Sequence, residues 1–206
     1  MENNNKYVKY LAIFALLLSV AGITLGFAAF SNTVEIKASA DFTPDGSAYR
    51  GGVLSVDPDE QTDGTVTPTT DGATAEAASL TERGIQNIVV HFTDVGQSAT
   101  YSFYGVNASE FVAYLNSIVF GTQTCTPGTG TTAEYVQNAC DFITLTVKIG
   151  DDEYTETNNS INGHELNSSG NEVITVTVDY LAGAPTADGP FSVDFGTTVI
   201  SYGTVD

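Results

Sequence analysis

The stretch Glu172-Val173-Ile174-Thr175-Val176-Thr177-Val178-Asp179-Tyr180-Leu181 sets Ile174, Val176, Val178 and Tyr180 on one register and Val173, Thr175, Thr177 and Asp179 on the other. Alternation with period two over this length marks a strand with one buried face. Working outward, residues 142–149 repeat the pattern, and Gly150-Asp151-Asp152 turns the chain back into 153–157 as a β-hairpin. Residues 86–93 read as a buried strand, 100–106 alternate around Tyr101 and Phe103, and 191–195 and 198–202 flank Gly196. Residues 110–120 suit a helical stripe or a strand, with strand favoured after Tyr114. Val53, Leu54 and Val56 make a short strand, 75–83 a brief helical turn, and Thr131 with Glu134 can box a short helix through Val136. Residues 57–74, rich in Asp, Gly, Thr and Pro, read as a long exposed acidic loop. Short strands without repeated helices between them predict an all-β, antiparallel β-sandwich.

At the other end, Lys6 and Lys9 precede an uncharged apolar run from Leu11 to Phe30. Such a run is an export signal or a membrane anchor; its 20 residues would reach roughly 30 Å as a helix, which fits either. Gly26-Phe27-Ala28 supplies the small residues that a signal peptidase reads, so cleavage is expected between Ala28 and Ala29. The chain then divides into a signal peptide or anchor at 1–28 and one domain at 29–206, whose 178 residues suffice for a substantial core. Localisation follows: secreted or at the extracellular cell surface, and membrane-anchored if the segment is retained.

The junction Gly26-Phe27-Ala28-Ala29-Phe30-Ser31-Asn32, followed by an alternating strand, resembles the TasA/camelysin family of secreted bacterial surface proteins. The closing Phe191-to-Tyr202 pattern resembles the final strands of the same family. The resemblance implies a jelly-roll sandwich, a dedicated type of signal peptidase, and membership of a group that includes fibre subunits of biofilm matrices.

Beyond residue 28 only Lys37, Arg50, Arg83 and Lys148 oppose 24 of the chain's 25 carboxylates. Nucleic acid and anionic lipid are therefore poor partners, and the membrane enters only through the N-terminal segment. Cys125 and Cys140 are the only cysteines. In an oxidising exterior they are a disulfide pair worth roughly 3 kcal/mol, with two free thiols as the alternative.

Catalytic chemistry finds little to use. His91 lies in an apolar strand and His164 in an Asn/Gly turn, neither with a second histidine near it, so each reads as a core or turn residue. Camelysin-type proteins have been described as proteases, yet the chain has no His-Glu-x-x-His motif and no Gly-x-Ser-x-Gly elbow. No enzyme is expected. No cofactor is expected either, apart from calcium, which clustered carboxylates on loops can bind. Asp57, Asp59 and Asp63, with Glu60, form one such group, and Asp151, Asp152 and Glu153 a second; neither has EF-hand spacing, and solvated acidic turns are the plainer reading. Asn107-Ala-Ser109, Asn158-Asn-Ser160 and Asn167-Ser-Ser169 match glycosylation sequons but read as turns.

The first strand of the mature chain suggests a mechanism. Val34, Ile36, Ala38 and Phe42 alternate with polar residues close to the expected cut end. A free terminal segment of this kind can complete a sheet edge on a neighbouring subunit, filling a groove with its apolar side chains. The plainer rival is that the same strand folds into its own sandwich. The expected function is a surface or matrix structural protein that self-associates into filaments by donor-strand pairing. The alternative is a membrane-anchored binding or adhesion module that displays its loops to a surface protein or glycan.

Overall fold

The computed structural model describes residues 9–10, 13–17, 52–185 and 188–203. The chain divides into two compact units, Met1–Phe42 and Thr43–Asp206. In the first, residues 9–10 and 13–17 are helical, and Tyr10, Ile13, Phe14, Leu16 and Leu17 are exposed. Among the described residues no helix is long and apolar enough to cross a membrane.

The second unit is mostly antiparallel β. Its strands are β1 (Val53–Ser55), β2 (Gly64–Val66), β3 (Thr69–Asp71), β4 (Thr74–Ala75), β5 (Ala78–Thr81), β6 (Gly84–Gln86), β7 (Val89–Phe92) and β8 (Ser98–Asn107). After these come β9 (Ala113–Val119), β10 (Thr124–Pro127), helix α1 (Ala133–Cys140), β11 (Ile143–Ile149) and β12 (Asp152–Thr155). The last are β13 (Glu165–Leu166), β14 (Gly170–Tyr180), β15 (Phe191–Asp194) and β16 (Thr197–Gly203).

One sheet runs β1-β8-β14-β11-β12, with β3 also on β8. Its register turns the alternation of β14 into rows across the sheet: Ile174 lies between Phe103 and Ile149, Val176 between Tyr101 and Val147, and Val178 between Ala99 and Leu145. All nine are buried, and such cross-strand neighbours stabilise a sheet by roughly 0.2–1 kcal/mol per pair.

Two more sheets, β10-β15-β7-β4 and β13-β9-β16-β6-β5-β2, continue into each other. The strand pairs β6/β7 and β15/β16 break at one level, where Asn87 (φ 59°) and Gly196 (φ 61°) adopt left-handed backbone. The ladder survives the break, because the Asn87 N–H donates to the Gly196 carbonyl at 3.1 Å and the Phe195 N–H to that of Ile88 at 3.2 Å. The expected continuous strand at 86–93 is therefore interrupted at Asn87-Ile88. The inward side chains of all three sheets share one core, in which Phe92, Tyr180 and Phe191 pack with ring centroids 5.4–5.8 Å apart.

Three local expectations need correction. The 57–74 segment is no long loop, since it contains β2 and β3. β3 is exposed at every residue and is held by its ladder to Ser98, Ala99 and Thr100, so no apolar pattern announces it. Residues 75–83 hold the end of β4 and all of β5, which pairs with β6 across a tight connection, in place of a helical turn. Helix α1 forms, but its N-cap is Thr132 without a side-chain cap; the Thr131 hydroxyl donates to the Pro190 carbonyl at 2.7 Å, so the capping box does not.

Candidate functional site

Two features stand apart from ordinary packing. The first is an open sheet edge. β12 covers β11 only from Thr146 to Ile149, so among the described residues 143–145 have no strand on their outer side. Opposite this gap the connection from β9 to β10 passes close to Phe195, and a Cβ built at Gly121 would stand 1.7 Å from the Phe195 carbonyl oxygen. The space between is a groove of about 350 Å³. Its apolar wall is Phe120, Ile143, Leu145 and Phe195, of which the last three are largely buried, with Gln123, Asp141 and Thr144 beside them, and Thr155, Glu156 and Thr157 form its lip. A volume at the low end of binding pockets, beside an uncovered edge, suits a few extended residues.

The far wall is fixed covalently. Cys125 on β10 is disulfide-bonded to Cys140 at the end of α1, as expected. The Gln123 amide donates to the Cys140 carbonyl at 2.8 Å and satisfies an acceptor at the helix C-terminus.

The second feature is a chain of polar side chains at the base of the β12 loop. His164 Nδ1 lies 3.0 Å from Asp152 Oδ2, and Nε2 lies 2.7 Å from Glu172 Oε2. The Tyr202 hydroxyl donates to the other Glu172 oxygen at 2.9 Å. Both ring nitrogens thus face carboxylates, which only accept, and an imidazolium satisfies both. Burial pulls the His164 pKa down, but the hydrogen bonds and charges of Glu172 and Asp152 outweigh it and leave it raised. Burial, together with the Glu172 charge, pushes the Tyr202 phenol far up, so it stays protonated. As an imidazolium the ring has no free lone pair for a substrate or metal, and the carboxylates lie at its two different nitrogens.

Sequence reasoning missed this cluster because its members are distant in the chain. One signal was available: Glu172 shares the register of Ile174 and Val176, so an acid begins the core-facing side of β14 and requires a partner. His91 was expected in the core, yet it lies on the outer side of β7 with 44% of its side chain exposed, 3.6 Å from Glu76.

Asn107 is no glycan acceptor in the folded chain. It is fully buried, and its amide donates to the carbonyls of Phe111 (2.7 Å), Leu166 (3.0 Å) and Asn167 (3.1 Å) while Oδ1 accepts from the Ser109 N–H and hydroxyl.

Of the acids considered for calcium, Asp57 accepts the Asp59 N–H at 2.8 Å. The turn they occupy is organised by buried Ser55, whose hydroxyl accepts the N–H groups of Asp57 and Thr62. Among the described residues no three His, Cys, Asp or Glu side chains, Asp63 included, form a group that could hold a metal ion. The cleavage residues Ala28 and Ala29 and the donor-strand residues Val34, Ile36, Ala38 and Phe42 lie outside the described residues. In comparisons with known proteins, no family model and no curated protein matches the chain.

Proposed function

We propose that this chain is an exported, non-enzymatic structural subunit of the cell surface or extracellular matrix, of the TasA/camelysin kind. In this reading the second unit is a jelly-roll-like sandwich and copies join into filaments by donor-strand pairing. The donor is segment 29–42 of one copy, laid along the uncovered edge of β11 in the next, with Val34, Ile36, Ala38 and Phe42 supplying the apolar side chains. The observation that carries the reading is the groove beside residues 143–145, where an uncovered strand edge and an apolar wall coincide. Main-chain hydrogen bonds would supply the affinity and the groove the selectivity. The disulfide suits an oxidising exterior. Deleting residues 29–37 is the test: filaments should vanish in negative-stain images while the circular dichroism and unfolding midpoint of the remaining chain persist. Loss of the fold on deletion would instead assign the segment to its own sandwich.

A second reading is favoured by the exposed apolar side chains of Tyr10, Ile13, Phe14 and Leu17, which a lipid or protein surface could cover. In it the segment is retained and anchors a surface binding module. The mass of the exported protein decides: a start at Ala29 supports the subunit, and an intact N-terminus supports the anchor.

A further inference from the structure

We propose that His164 is a pH-sensitive clasp on the lip of the groove, holding the loop from β12 to β13 closed as an imidazolium and releasing it when the proton leaves. The bearing of this clasp on assembly rests on the function proposed above, but the clasp itself does not.

Its geometry is that of a pinned loop. Asp152 begins β12 and His164 directly precedes β13, so their 3.0 Å contact ties together the two ends of a twelve-residue excursion. Within it lie Thr155, Glu156 and Thr157, the residues that border the groove. The tip is closed by its own residues, through the Thr155 N–H to the Asn158 carbonyl (2.9 Å), the reverse bond (3.1 Å) and the Asn158 N–H to the Thr155 hydroxyl (3.2 Å), and Ile161 packs against the core. The base is anchored elsewhere: the His164 carbonyl accepts from the Leu115 N–H of β9 at 2.9 Å, and the ring bonds Glu172 of β14.

The groups that face the ring are Asp152 from β12 and Glu172 from β14, with Tyr202 of β16 behind Glu172 and Tyr154 of β12 close enough to feel both acids. Glu153 pairs with Lys148 instead. A neutral imidazole keeps one N–H, so loss of the proton turns one of the two contacts into a lone pair against a carboxylate. Asp152 yields: its side chain is 61% exposed and regains water, whereas Glu172, 16% exposed, is held by Tyr202 as well. Deprotonation therefore releases the Asp152 side chain and leaves the His164 end in place; β12 keeps its ladder to β11, so the freedom gained falls to residues 156–163.

The test is a histidine NMR titration with amide hydrogen exchange on the full chain in mild detergent, from about pH 5 to about pH 9. His164 should titrate above the ordinary value of about 6.5. Relative to intrinsic rates, amides of 156–163 should lose about tenfold protection across that titration, while those of β8, β12 and β14 hold. The step should disappear in Asp152→Asn and, independently, in His164→Gln. A titration at or below the ordinary value, or a step that survives in either variant, overturns the clasp. Filaments counted in the same samples separate the two ideas: a step without filaments supports the clasp and removes the assembly reading, and filaments without a step do the reverse.

Discussion

Replacing Asn107 with alanine removes a polar knot from a fully buried position, and the size of the loss can be worked out bond by bond. The two amide hydrogens shared among three carbonyls are lost, but two of these carbonyls keep a donor: Phe111 can take the Ser109 hydroxyl that Oδ1 gives up, and Asn167 also accepts the Gly170 N–H. On the other side the Ser109 N–H loses its acceptor. At roughly 1 kcal/mol for a bond lost with a partner remaining, and somewhat more for a buried group left alone, the total is about 3–4 kcal/mol. For a domain of this size that corresponds to a melting point lower by about 6–16 °C. Asn107→Asp should be worse at neutral pH, because a carboxylate would face carbonyl oxygens where the amide donated. The gap between the two variants should narrow in acid as that carboxyl takes up a proton. Urea unfolding followed by tyrosine fluorescence suits a chain with ten tyrosines and no tryptophan. An Asn107→Ala variant within about 1 kcal/mol of the parent would refute the claim that these buried bonds carry the stated stability.

Reducing the disulfide, or replacing Cys125 and Cys140 with serine, should cost roughly 3 kcal/mol and expose α1 to proteolysis first, as limited digestion would show. Stability should also follow His164: because the fold raises its pKa, its contribution is complete below the unfolded value and is lost as pH rises through the folded one. Unfolding curves of the parent should weaken over that window, and those of His164→Gln should lack the same slope. Gly121→Ala places a methyl against the Phe195 carbonyl, which neither backbone can avoid without moving, so destabilisation of about 1–3 kcal/mol or more is expected in urea.

Much of the β framework was legible because it rests on apolar alternation. β8, β11, β14 and β16 bury every second residue, and their expected extents match to within a few positions. β2 and β3 were hidden, since Thr69, Thr70 and Asp71 are all exposed and their place is set by main-chain bonds to a distant strand. The break at Asn87 was hidden too, because left-handed backbone at one residue leaves the surrounding apolar run unchanged. The disulfide could be read from an even cysteine count. The groove could not, as it arises where β12 stops short and the β9–β10 connection swings past Phe195. The His164 cluster brings together residues 152, 164, 172 and 202, whose proximity depends on the order of strands in the sheets.

The proposed loan of a strand from one copy to the uncovered β11 edge of another is tested most directly by a cross-link carried out on mixed isotopes. Chains labelled with light and heavy nitrogen are mixed, allowed to assemble, and cross-linked from a photoreactive residue placed at Thr157. Peptides joining the lip to residues 29–42 should contain one light and one heavy partner as often as random mixing allows. Cross-links found only between segments of equal label would show that each chain fills its own groove, and would contradict the account.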